Sequence, residues 1–170
     1  TTDSSASTLL KKQSGSSVDV MFDYALSTDK RDRKFMPTNG YLTSFYQEIP
    51  IYSDQPHIKN SFSTNHYKEI SEDLIGALKF GITAVNGIDD EDVRISQRLD
   101  LSSKKLRGFE QGKVGPKDGD DFIGGNYTTS LNLEANFPNF FPEKSNAEVG
   151  LFLDAGNVWG VDYSDEIDDS

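Results

Sequence analysis

The chain has 170 residues, no cysteine, and a formal net charge of −11 from 17 basic and 28 acidic side chains. This acidic balance argues against nucleic-acid binding, which requires a clustered basic surface, and the lack of cysteine excludes disulfides and thiolate zinc sites. A hydrophobic content of 35% with high charge would suit a disordered chain, but an aromatic content of 11% and regular alternation argue against disorder. The same averages are typical of transmembrane barrel strands, which are apolar on one face and polar on the other.

The first predicted elements run from the N-terminus to residue 84. Residues 1–17 are rich in Ser and Thr and predict a loop. In "VDVMFDYALS" (18–27), apolar and polar residues alternate with the period of a half-buried strand. The charged connector "TDKRDRKFMPTNG" ends in strong turn residues. Further alternating segments predict strands at 41–51, 58–68 and 74–84, so that residues 18–84 hold about four strands.

Residues 85–123 form a long segment without apolar periodicity, which predicts an extracellular loop carrying "LRGF". Connections of this length without secondary structure of their own are usually functional or disordered. Two strands are predicted within residues 124–158, where "NYTTSLNLEANF" alternates most clearly. The Asp-rich residues 159–170 predict the start of another exposed loop.

The pattern predicts an all-β fold: an antiparallel meander of about six strands, part of a larger transmembrane β-barrel, with one long inserted loop. Each segment is close to the ~9–11 residues that a tilted strand needs to cross a bilayer. Because open edges are not tolerated in lipid, six strands indicate a piece of a larger barrel, with its targeting segment elsewhere. Alternation alone leaves a soluble antiparallel sandwich with one solvated face equally open.

Three motifs carry more information than the alternation. The first is Leu106-Arg107-Gly108-Phe109 in the long loop. The second is the Phe-x-Asp-x-Gly pattern of the last predicted strand, "FLDAG". The third is the turn "TDKRDRKFMPTNG", in which a charge cluster precedes the turn residues. The residues of the last two motifs are Phe152, Asp154 and Gly156, and Asp29, Arg31, Asp32, Pro37 and Gly40.

In this order, over almost the whole chain, the motifs resemble those of BamA-type outer-membrane proteins, the β-barrel assembly insertases related to two-partner secretion transporters and to organellar counterparts. The family usually has Val or Ile where this chain has Leu106. Compared with the family, the chain is expected to lack the periplasmic POTRA domains, the first half of the barrel and the last strands.

The resemblance implies that the long loop folds back into the barrel lumen, where its arginine pairs with acidic residues on the inner wall. Strand periodicity independently places Asp154 opposite Leu151 and Leu153, and Glu134 opposite Leu131 and Leu133, so both carboxylates face the lumen. We expect Arg107 to reach them, because its planar fork can bridge two carboxylates.

Around this pair, Gly108 would permit a tight turn of the loop and Phe109 would pack against the wall. Gly156 completes the expected lock, whereas Asp29, Arg31 and Asp32 are expected only to stabilise their turn. A solvated loop arginine and simple hydrated lining carboxylates remain the alternatives.

The function implied by the resemblance is non-enzymatic insertion and folding of other outer-membrane proteins in a Gram-negative outer membrane. The expected partners are outer-membrane lipid, unfolded outer-membrane proteins, and accessory lipoproteins bound through domains absent here. Alternatives are a secretion or autotransporter-assembly barrel of the same superfamily, or a soluble acidic β-sandwich that binds a ligand.

No catalytic site, metal site or cofactor is expected. The acidic runs "GIDDEDV" and "KDGDD" lack the alternate-position spacing of a calcium loop. His57 and His66 have no third ligand in view, and no nucleophile–base set or phosphate-binding glycine loop is recognisable.

Overall fold

The structure is a computed structural model that describes residues 17–89, 91–141 and 149–162. Six long strands and one short two-stranded hairpin account for its regular structure, together with a single 3₁₀ turn, Ile95–Gln97. The long strands are β1 (Asp19–Asp29), β2 (Gly40–Ser53), β3 (His57–Ser71), β4 (Leu74–Gly87), β7 (Tyr127–Phe137) and β8 (Val149–Trp159), and the hairpin consists of β5 (Lys117–Asp118) and β6 (Asp121–Phe122).

The six long strands form one antiparallel sheet in the order β1-β2-β3-β4-β7-β8. Each strand therefore pairs with the next long strand of the chain, which is a meander interrupted only by the loop between β4 and β7. The predicted fold class is confirmed. No helix among the described residues is long and apolar enough to cross a membrane.

The two faces of the sheet differ as the alternation predicts. On one face the apolar side chains remain exposed, with Leu133 at 43%, Leu151 at 66% and Leu153 at 67%. Neighbouring strands continue this face, since Leu133 pairs with Leu78 on one side and Leu153 on the other. A sandwich would bury these residues against a second sheet, and no such sheet exists in the part of the chain described. The sandwich alternative is therefore wrong, and this apolar surface is the outer face.

The opposite, inner face is polar and is covered by the long loop. Thr128, Ser130 and Asn132 of β7 are only 4%, 3% and 6% exposed beneath it. The loop leaves the sheet at the end where β4 stops and β7 begins. The turns at residues 30–39 and 72–73 lie at the opposite end, because the strands are antiparallel.

The long loop has more structure than its sequence suggested. Its base is closed by an antiparallel bridge between Leu99 and Gly125. Small apolar clusters then hold it to the sheet, because loop residues pack on strand residues that the inner face provides. The two clusters are Val85 with Val93 and Leu99, and Leu101 with Leu106, Val114 and Val158. Pairing with the start of β3 carries β4 on to Gly87, three residues beyond the predicted end.

Candidate functional site: the loop anchor on the inner wall

The long loop meets the inner wall at Arg107 and Asp154. The backbone N–H of Arg107 donates to Asp154 Oδ2 at 3.0 Å, and its Nε donates to the same oxygen at 2.7 Å. Nη2 donates to Oδ1 at 2.6 Å. The carboxylate thus receives a bidentate fork and a backbone donor from one residue, a geometry that lysine cannot supply. The Asp154 side chain is 4% exposed, so the pair is removed from bulk water on the carboxylate side.

A second carboxylate completes the anchor. Arg107 Nη2 also lies 3.0 Å from Glu134 Oε1, and Lys79 Nζ lies 2.7 Å from Glu134 Oε2. Asn132 donates to Asp154 Oδ1 at 2.7 Å and to the backbone carbonyl of Lys105 at 2.8 Å. Three adjacent strands, β4, β7 and β8, therefore contribute to one network around the arginine.

Aromatic packing on this arginine comes from the wall. The Arg107 guanidinium carbon lies 3.8 Å from the ring centroid of Phe152, close enough for a cation–π contact. Phe109, which we expected to pack against the wall, is instead 57% exposed. Between the two residues, Gly108 has a φ of +86°, a backbone conformation that side-chain-bearing residues disfavour.

The two glycines of the motifs differ in what they do. A Cβ on Gly108 would meet nothing within 4 Å, so its role is conformational, because a positive φ disfavours other residues. A Cβ on Gly156 would lie 2.7 Å from Leu101 Cδ1 and 3.1 Å from the Thr129 carbonyl oxygen. Gly156 thus leaves the space into which the loop's apolar side chains pack. In the Phe-x-Asp-x-Gly motif, Phe152 stacks on Arg107, Asp154 binds it, and Gly156 leaves room for the loop's apolar side chains.

A second anchor closes the base of the loop, and sequence reasoning missed it. The Arg98 guanidinium pairs with Asp162, the arginine side chain being fully buried. Asp162 also accepts hydrogen bonds from the Val93 N–H and from Asn126 Nδ2, both at 2.9 Å. Burial raises the pKa of Asp162, but these hydrogen bonds and the Arg98 charge outweigh it and lower the pKa overall. Asp162, three residues beyond the end of β8, is therefore held by the loop.

The turn motif lies at the other end of the sheet and is separate from both anchors. Arg31 pairs with Asp29 at 2.8 Å, while Asp32 accepts from Thr38 N–H at 3.0 Å and Asn39 N–H at 3.1 Å. The backbone hydrogen bond from Asn39 is the largest reason that the pKa of Asp32 falls to about 2. Pro37 is half-buried within the turn. At Gly40, φ is +96° and a Cβ would overlap the Lys30 carbonyl oxygen.

Of the predicted site residues, the structure brings Arg107, Glu134, Asp154 and Gly156 together and leaves Phe109 in solvent. Arg98, Asn132 and Asp162 belong to the anchors without having been predicted. Asn132 carried a usable signal, since the alternation places it on the same polar face as Glu134, and Asp162 begins an acidic run shortly after a strand. Within the described ranges there is no group of three or more potential metal ligands. Residues 1–16 and 163–170, both predicted as loop, lie outside the described residues.

An antiparallel meander with an apolar outer face and a long loop pinned to its polar inner face defines part of a transmembrane β-barrel. The solved structure of BamA from Haemophilus ducreyi lacking POTRA domains 1-3 superposes on it with a TM-score of 0.77 and 25% identity, over 85% of this chain and 30% of that one. The Omp85 superfamily domain matches residues 1–170, and the chain belongs to that superfamily.

Two curated relatives show how far the similarity extends. The sorting and assembly machinery component 50 homolog of Homo sapiens is 27% identical over 169 residues, covering 94% of this chain and 36% of that protein. The outer membrane protein assembly factor BamA of Neorickettsia risticii is 26% identical over 162 residues, covering 92% of this chain and 22% of that protein. The chain thus spans about a third or less of the length of its relatives.

Proposed function

We infer that this chain is the part of an outer-membrane protein assembly barrel that holds the long loop inside the lumen. The observation that carries the inference is the threefold contact of Arg107 with Asp154, which joins the loop to strand β8. The names of the relatives, an assembly factor and a sorting and assembly component, support the assembly activity.

The mechanism we propose is non-enzymatic. A loop fixed to three adjacent strands stiffens that part of the wall, because sliding one strand past its neighbour would break ion pairs to Glu134 or Asp154. The wall then stays rigid while other strands of the full barrel, outside this chain, receive a substrate strand by β-augmentation. In this proposal Arg107, Gly108, Glu134, Asp154 and Gly156 form the lock, and Phe152 takes the packing role expected of Phe109.

The proposed partners are unfolded outer-membrane proteins and the surrounding lipid, with accessory subunits bound through parts of the parent protein outside this chain. The relatives include a human protein as well as bacterial ones. The proposed location is therefore an outer membrane, without the restriction to Gram-negative bacteria that the motifs alone suggested.

A depletion experiment tests the proposed activity. Cells depleted of the full-length parent would be complemented with the wild-type gene or with a gene lacking residues 88–126. The amounts of folded, heat-modifiable outer-membrane barrels and of any secreted partner protein would then be measured. Loss of folded barrels supports assembly. Normal barrels with loss of one secreted protein would instead support a secretion transporter of the same superfamily.

Replacing Leu133 by arginine should destabilise the membrane-inserted barrel by about 2–4 kcal/mol, because the charge would face lipid near mid-strand. The heat-induced gel-mobility transition of the purified parent in lipid measures this. Ser44→Arg is the matched control, since Ser44 alternates with outward-facing Phe45 and so lies on the polar inner face. Equal sensitivity at both positions would contradict our assignment of the outer face.

A further inference from the structure

The turn at residues 30–39 ends in a projecting group of side chains at the mouth opposite the long loop. We call Arg33, Lys34, Phe35 and Met36 the turn tip. Phe35 is 81% exposed, the largest value among the exposed large hydrophobic residues, and Met36 is 42% exposed. Phe140 and Phe141, which are also exposed at this end, at least pack edge-to-face on each other at 5.1 Å. Phe35 has no ring partner among the described residues.

The turn tip is held in one shape. Met36 has a φ of +49°, a left-handed conformation that non-glycine residues rarely adopt. Arg33 Nε donates to the Met36 carbonyl oxygen at 2.7 Å and stabilises that conformation. Below the tip, the Asp32 hydrogen bonds to Thr38 and Asn39 fix the return of the chain. The apolar tip is therefore presented by an ordered frame.

The electrostatics of the turn oppose those of the chain. The turn carries four basic residues, Lys30, Arg31, Arg33 and Lys34, against one carboxylate, Asp32, although the chain as a whole has a net charge of −11. Asp29 occupies the fork of Arg31. Arg33 comes no nearer than 3.9 Å to a carboxylate, and Lys34 forms no ion pair within the described residues. The positive charge next to Phe35 is thus available to a partner.

A cavity of about 230 Å³ opens beside the tip, between the turn and the inner wall. Its lining is mixed, with apolar atoms of Met36, Ile75 and Phe137 and the charged groups of Arg33 and Lys79. Glu134 also reaches it but is already paired with Lys79 and Arg107. This space accepts an apolar side chain whose neighbouring carboxylate would meet Arg33.

We propose that the turn tip is a docking site for an acidic, amphipathic protein segment, which covers Phe35 and places its carboxylates against Arg33 and Lys34. Covering the Phe35 ring, which is 81% exposed, removes apolar surface from water and so favours a specific but reversible contact. A protein segment is favoured over a lipid surface because the turn borders the lumenal wall, where it shares its cavity with the inner-face residues Ile75 and Lys79. The proposal does not rest on the assembly activity, although Lys79 and Glu134 of the anchor network also line this cavity.

The test uses the full-length parent in zwitterionic nanodiscs and two fluorescent helical peptides. The first peptide has Glu on one face of the helix and Leu on the other. The second has Gln in place of every Glu. Anisotropy should show binding of the acidic peptide only. The double variant Arg33→Glu/Lys34→Glu should weaken it at least about tenfold, and Phe35→Ala about fivefold or more. Phe140→Ala is the matched control and should leave the affinity unchanged.

Two results would overturn the proposal. Equal binding of both peptides, or acidic-peptide binding that the turn-tip variants leave unaltered, would show that the tip is not the site. Competition by phosphatidylglycerol-rich vesicles in place of the peptide would show that the basic tip serves a lipid surface. Circular dichroism of each variant confirms that the barrel is folded, so that failure to bind is not failure to fold.

Discussion

Replacing Arg107 by glutamate is expected to release the long loop from the wall and to abolish the proposed barrel-assembly activity of the full-length protein. The substitution leaves Asp154, whose side chain is 4% exposed, facing a second negative charge with Glu134 beside it. Breaking one side of such a desolvated pair costs about 3–5 kcal/mol. The lower end applies here, because the Arg107 side chain is 31% exposed and keeps some access to water.

A charge-swap cycle isolates the contact from general damage. The variants are Arg107→Glu, Asp154→Arg and the two combined, each read out by heat-modifiable folding and by the amount of assembled outer-membrane barrels in depleted cells. The double variant should recover part of both readouts, since the pair is restored with reversed polarity. Recovery will be incomplete, because the fork also contacts Glu134 and stacks on Phe152.

Lys104→Glu provides the control for this cycle. It reverses a charge three residues from Arg107 in the same loop, at a position that is exposed. If Lys104→Glu were as damaging as Arg107→Glu, the loss would reflect loop charge in general. If neither single swap at Arg107 or Asp154 altered folding or assembly, the lock would have no role.

Replacing Arg98 by alanine should free the base of the loop by a comparable amount. The Arg98 side chain is fully buried, and its removal leaves Asp162 with an uncompensated charge in a partly buried site. We expect a loss of about 3–5 kcal/mol and thus at least a hundredfold rise in the open population of the loop. Limited proteolysis of the loop in the folded parent measures this. Lys113→Ala, an exposed residue near the Phe122 ring, should leave the rate unchanged.

The same anchor predicts a pH dependence. The folded-state pKa of Asp162 lies below its ordinary value of 3.8, so the carboxylate binds protons less readily when the anchor is formed. Its stabilisation is therefore complete above pH 3.8 and is lost as the pH falls through the lowered folded value. Asp162→Asn should remove this part of the acid sensitivity. An unchanged acid transition in that variant would show that other carboxylates control it.

The sequence was sufficient for the sheet because the strands are half-buried and their alternation is regular. β7, the clearest pattern, is observed at Tyr127–Phe137, within one residue of its predicted start. The same alternation predicted that Glu134 and Asp154 face the inside of the barrel, because a two-residue repeat fixes both faces of a strand once one face is known.

What could not be predicted depends on contacts between distant parts of the chain. Arg98 and Asp162 are 64 residues apart, and neither lies in a periodic segment that assigns it a neighbour. Phe109 was expected at the wall because it follows Arg107 in the motif. The chain between them passes through the positive φ of Gly108, which no pattern of residue types reports.

The shared recognition of Arg107 by two strands also has a kinetic consequence. Asp154 lies 47 residues beyond the arginine, and Glu134 lies on the adjacent strand, so the complete binding site exists only after β7 and β8 have paired in register. A contact of such long range forms late, since the intervening chain must first be ordered. We therefore expect seating of the loop to act as a checkpoint of the barrel's own folding, because a misregistered wall would offer the arginine no complete pair of carboxylates.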